Sequence, residues 1–151
     1  MLKYRRDKWF ENKDKLEAAI RESEDLNSCN YDELVKMVVE YILNPSTDGA
    51  DEFDKDAITV INNGHYQGTL LFMIPRKTYQ PCEGDYLITY VGYGSCSGCD
   101  TLQAIQNWGN NKLNEQQVKD LMILCKDLVC NIVKPYNDGW LRDEKFIEVA
   151  A

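Results

Sequence analysis

Residues able to do chemistry are few in this chain, and the ones that stand together do so in one short stretch. Cys96 and Cys99 form a Cys-x-x-Cys pair inside GSCSGCD (residues 94–100), a turn rich in glycine and serine that follows an apolar run and opens a helix. Small residues let backbone amides and side chains converge on one point, and two thiolates so spaced can share one metal ion. Zinc takes thiolate sulfur at about 2.3 Å and imidazole nitrogen at about 2.0–2.1 Å, so the other expected ligands are His65, the only histidine, and Asp100, which directly follows the pair. A cysteine from a packed helix is the alternative fourth ligand. A structural Zn²⁺ site of Cys96, Cys99, His65 and Asp100 is the leading reading. Inert thiols and a redox dithiol are its competitors.

The strands around the turn decide between ligands. Residues 57–62, 68–74 and 86–93 are β-branched and apolar, and short links join them, NNGHYQG and PRKTYQPCEGD. Short links favour an antiparallel meander, because parallel neighbours need a long crossover. In a meander the end of the third strand lies beside the start of the second, which puts the turn carrying His65 at the same end as Cys96 and Cys99. Cys82 falls at the other end, over about 20 Å away at about 3.3 Å per residue, and replaces His65 only if the meander is wrong. The same topology disfavours a thioredoxin-like motif, which needs a βαβ unit before it. A redox enzyme or a zinc-dependent hydrolase using Cys96 and Cys99 stands as the alternative function. No GxxxxGK[ST], GxGxxG or nucleophile elbow occurs.

Helices must supply the rest of the frame. Residues 7–22 have Trp9, Leu16 and Ile20 at helical spacing, a thin stripe that predicts a surface helix. Asn30 is the expected N-cap, with Glu33 in a capping-box position, of a helix presenting Leu34, Val35, Val38, Val39 and Ile42. A short helix is expected over 100–108. Asn114 caps the most periodic helix, which reaches Val133 with Val118, Leu121, Met122, Cys125, Leu128, Val129 and Ile132 on one face. Cys125 is thereby a core residue, whereas Cys29 and Cys130 have no assignment. Apolar runs such as LLFMI predict a sheet largely covered by helices. A tail follows Pro135, with Trp140 and Phe146 as apolar anchors. The expected fold is a single α+β domain over residues 1–151: a small three-stranded antiparallel sheet packed by about four helices.

Charge completes the reading. The net charge is −8 and unevenly spread: residues 1–15 carry six Lys/Arg against three acids, and residues 16–56 carry twelve acids against three bases. Such acidity argues against direct nucleic-acid binding, which needs accumulated positive charge. It suits a protein that is simply soluble, the commoner reason for such acidity, or one that docks on a basic protein surface. For docking, Glu40 and the acidic loop residues Asp48, Asp51, Glu52, Asp54 and Asp56 are the candidate patch. These carboxylates lack EF-hand spacing, so a solvated loop is favoured over a calcium site. No apolar run reaches the roughly 20 residues needed to span a bilayer, and MLKYRRDKWFENKDK lacks the apolar core of a signal peptide, so a cytoplasmic protein with no membrane association is expected.

At HYQGT (65–69) and GDYLITYVGYGSCSGCDTLQ (84–103) the chain resembles small proteins encoded by phages and prophages of Gram-positive bacteria, the YGSCSGCD core being the specific part. In general character it is similar to zinc-binding anti-CRISPR inhibitors of type II-A Cas9. The resemblance implies an inhibitor in the host bacterial cytoplasm whose partner is a basic, nucleic-acid-handling protein such as Cas9, which holds nucleic acid in positively charged channels.

Overall fold

The computed structural model describes residues 2–45, 51–64, 67–95, 100–106 and 112–134. His65, Cys96, Cys99 and Asp48 lie outside the described residues, as do the expected features at 107–111 and in the tail from residue 135.

The sheet is a meander in the order β1–β2–β3, with β1 at Thr59–Gly64, β2 at Gly68–Pro75 and β3 at Tyr86–Tyr93. Both pairings are antiparallel, β1 on β2 from Thr59↔Met73 to Gly64↔Gly68 and β2 on β3 from Gly68↔Tyr93 to Pro75↔Tyr86. β1 begins two residues later than expected, because Ala57 N–H closes a turn on the Asp54 carbonyl, and it runs on through Asn62 and Asn63. Gly64 and Gly68 are required where the strands close: a Cβ on Gly68 would sit 2.3 Å from the Asn63 carbonyl oxygen, and one on Gly64 2.4 Å from that of Gln67.

Helices cover one face of the sheet and leave the other half-buried, a narrower cover than the largely covered sheet expected. Phe72, Ile74, Leu87 and Thr89 are buried on the helical side, whereas the intervening Leu71, Met73, Ile88 and Tyr90 are half-buried and Ile61 is exposed. The period-two alternation is that of a sheet packed on a single side.

Four α-helices are described: α1 at Leu2–Glu22, α2 at Tyr31–Val38, α3 at Thr101–Ile105 and α4 at Glu115–Cys130. α1 starts five residues before the expected Asp7 and is, as expected, a surface helix, most of its residues being exposed or half-buried. Its inner face reads Arg5, Trp9, Asn12, Leu16 and Ile20, all buried, and two of these are polar, which is why the apolar stripe looked thin. Each polar member finds backbone acceptors. Asn12 Nδ2 donates to the Ile42 carbonyl at 2.9 Å, and Arg5 Nη1 donates to the carbonyls of Cys130 and Ile132, at the C-terminal end of α4.

α2 passes into a π-helical turn at Val39–Leu43, closed by Asn44 N–H on the Val39 carbonyl. Asn30 is its N-cap residue but makes no side-chain capping bond, so the expected capping box is absent there. It is present instead on α4, where Asn114 accepts from Gln117 N–H and the Gln117 side chain accepts from Asn114 N–H. α4 ends at Cys130, and Val133 then leaves helical form to pair with Ile88 on the outer edge of β3. Leu16, Leu34, Ile42, Phe72, Ile74, Leu121 and Leu128 belong to one buried cluster joining helices and sheet. Among the described residues, no helix is long and apolar enough to cross a membrane.

Candidate metal corner and acidic surface

Asp100 is the one expected metal ligand whose surroundings are described. It ends the segment 96–99 and is the N-cap of α3, with extended backbone at φ −130° and ψ 120°. Its carboxylate is buried at 5% exposure and draws three chain segments together. Oδ1 accepts from the Tyr31 hydroxyl at 2.8 Å and from Gln103 N–H at 3.1 Å, and Oδ2 accepts from Gly94 N–H at 2.8 Å. The Tyr31 oxygen in turn accepts from Leu102 N–H at 3.1 Å, and Gln103 Nε2 donates to the Gly94 carbonyl at 3.0 Å. Backbone before and after the cysteine segment is thus held by one carboxylate, a charge-assisted arrangement that fixes both ends of the turn.

The register puts this corner where the meander argument expects it. Gly64 and Gly68, which flank the turn carrying His65, lie at the same end of the sheet as Tyr93. Cys82 lies at the opposite end, beside Pro75 and Tyr86, where its N–H and Sγ donate to Asp85 Oδ2 at 3.0 and 3.3 Å. Those two hydrogen bonds hold the Asp85 carboxyl below its ordinary pKa.

A cavity of about 350 Å³ opens beside the corner, with Cys29, Asn30, Tyr31, Asn62, Tyr93 and Asp100 in its wall. Tyr93 Oη reaches across it to Asn62 Oδ1 at 2.5 Å. Burial, followed by the nearby Glu33 carboxylate, pushes the Cys29 thiol up to about 11. Burial also raises the Tyr31 hydroxyl, and its bond to Asp100 adds to the shift. Cys125, in the α4 core face, is pushed up to about 12 by complete burial. Cys29 and Cys125 are therefore held as neutral thiols near neutral pH, the opposite of an activated nucleophile. Among the described residues, no group of three or more His, Cys, Asp or Glu side chains could hold a metal ion.

The acidic surface is more structured than a solvated loop. Phe53 is buried at 4% exposure within the acidic run and bridges to Arg76 just beyond β2. The Asn44 side chain grips Phe53 from both sides, accepting from its N–H at 2.8 Å and donating to its carbonyl at 3.0 Å. So anchored, the segment meets two cations, Asp51 pairing with Arg76 at 2.9 Å and Glu52 with Lys77 at 3.0 Å, while its own Lys55 pairs with Glu40 at 3.2 Å. Exposed pairs of this kind contribute little stability, but they neutralise part of the patch. Asp54 and Asp56 have no ion-pair partner among the described residues, and Asp54 Oδ1 accepts from Asp56 N–H at 3.0 Å.

Sequence reasoning missed the groups that hold Asp100, namely Tyr31 and Gly94. Tyr31 is 69 positions away and carries no local mark. The anchoring of the acidic run had a signal in Phe53, a lone large apolar residue among carboxylates in DEFDKD. Comparison with known protein families, curated proteins and solved structures finds no match for this chain.

Proposed function

We propose that the protein is a phage-type inhibitor that binds a basic, nucleic-acid-handling host protein, Cas9 of a type II-A system being the candidate, and acts in the host cytoplasm. The observation that carries this reading is the anchored acidic segment. Phe53 and Asn44 hold residues 51–56 in fixed backbone on the surface, and Asp54 and Asp56 are left to meet cations of a partner. A preorganised carboxylate pair is a better electrostatic match for a basic channel than a loose acidic loop, because less ordering is lost on binding.

A structural zinc at the sheet end belongs to the same reading, held by Cys96, Cys99 and His65. The donor set fits that metal, since thiolate and imidazole are its usual partners. Asp100 Oδ2 accepts one hydrogen bond where Oδ1 accepts two, so it keeps a lone pair for a fourth contact.

Two measurements test the proposal. Metal analysis of protein purified without a histidine tag is expected to find about one zinc per chain, and less than about 0.2 equivalents removes the metal corner. Capture from a host lysate is expected to retain a basic nucleic-acid enzyme. Retention of nothing, together with thiol-exchange activity that depends on Cys96 and Cys99, favours the redox alternative instead.

A further inference from the structure

α1 and α4 pack antiparallel: Arg5 reaches the Cys130 carbonyl at one end, and Arg21 pairs with Glu115 at the other. At the Arg5 end a cavity of about 250 Å³ opens between them. Trp9, Phe10, Val129 and Cys130 make its apolar wall, and among the described residues the charged ones lining it are Arg5, Arg6 and Lys126, with no acid. The apolar surface continues outward, since Phe10 is 59% exposed and Ile123 on α4 is 60% exposed. Helical spacing puts Ile123, Lys126 and Cys130 on one face of α4, and Arg6, Phe10 and Lys13 on one face of α1. Lys13 Nζ lies 5.3 Å from the centre of the Phe10 ring. Arg5 is itself buried at 7% exposure, and its Nε is the buried side-chain nitrogen without a hydrogen-bond partner among the described residues.

We propose that this groove docks an acidic peptide segment of a second protein, which inserts one aromatic or large aliphatic side chain and sets carboxylates against Arg6, Lys13 and Lys126. The volume suits a single large side chain. The charge selects the rest: in a chain of net charge −8, every charged residue among the described residues lining the cavity is a cation, and two of the three, Arg5 and Arg6, belong to the basic segment 1–15. An apolar anchor with a charged rim is how amphipathic segments are read in grooves. A second copy seated on the same groove by a two-fold axis would bring like charges together. The surface is built from α1 and α4 and is separate from the Asp54–Asp56 segment, so it stands or falls independently of the inhibitor reading.

Fluorescence anisotropy on the full chain tests it, with a labelled amphipathic peptide of glutamate and leucine carrying one central phenylalanine, and a counterpart with lysine for glutamate. The acidic peptide is expected to bind and the lysine peptide not to. Arg6→Glu with Lys126→Glu, both at exposed positions, is expected to weaken binding by about 10-fold or more, and Phe10→Ala by several-fold. Equal binding of both peptides, or unchanged binding by the charge-reversed chain, overturns the proposal. So does chain dimerisation that the same substitutions abolish, which assigns the groove to a second copy. Equally tight binding to anionic phospholipid vesicles assigns it to a membrane and also overturns it.

Discussion

Removing the Asp100 carboxylate is the perturbation with the largest consequence that can be worked from the structure. Asp100→Ala takes away the α3 cap, worth about 1 kcal/mol. It also leaves the Gly94 N–H and the Tyr31 hydroxyl without the acceptor they share, both in buried surroundings, at about 1–3 kcal/mol each. Together these give a loss of about 3–7 kcal/mol, a large share of the 5–15 kcal/mol that holds a typical domain. Urea unfolding followed by circular dichroism measures it, provided the dependence on denaturant stays the same. Tyr31→Phe supplies the control, because it deletes one donor to Asp100 and the acceptor for Leu102 N–H. Its cost should be smaller, about 1–3 kcal/mol. Since the two residues share one network, the double variant should fall short of the sum by about 1 kcal/mol or more. A loss under about 1 kcal/mol for Asp100→Ala, or strict additivity with Tyr31→Phe, refutes the idea that this carboxylate ties the two ends of the cysteine turn.

Further outcomes follow from other parts of the molecule. Gly68→Ala should cost about 1–3 kcal/mol in thermal or urea unfolding, because the new methyl meets backbone oxygen that cannot move without opening the hairpin. Stability should fall as pH rises above about 9, the ordinary value for a cysteine thiol. Cys29 and Cys125 have folded-state values raised to about 11 and about 12, so the unfolded chain loses its thiol protons first, and the stability they contribute is lost as pH climbs towards those values. Urea midpoints between pH 8 and 11 read this, and a Cys29→Ala, Cys125→Ala chain should decline less steeply. Phe53→Ala should cost about 3–5 kcal/mol in unfolding and also weaken partner binding, since it removes the buried ring that seats the acidic segment and leaves only backbone bonds to hold it.

Much of this frame was legible from spacing alone. β3 begins and ends at the expected residues, and the antiparallel order follows from links too short for a crossover. α4 shows its buried face as a clean helical period, and Asn114 marks its start. What local patterns could not show were contacts made by polar residues in buried places. Arg5 and Asn12 complete the inner face of α1 but interrupt its apolar period, so the face this surface helix buries is wider than its apolar stripe. Asp100 was visible as a residue of interest, yet its anchoring depends on Tyr31, which only the packing of α2 brings near. The acidic run misled in the other direction: its carboxylates are conspicuous in the sequence, while the cations Arg76 and Lys77 that pair with two of them arrive from beyond β2.

The claim that this acidic surface inhibits a nucleic-acid enzyme is tested most directly by DNA cleavage with a guide-loaded type II-A Cas9, titrated with the intact chain and with an Asp54→Lys, Asp56→Lys variant. The account predicts that the intact chain suppresses cleavage at a stoichiometric ratio, and that the variant, folded with the same circular dichroism spectrum, needs at least about 10-fold more protein for the same effect. Full cleavage at every ratio of the intact chain, with no complex formed, would contradict it.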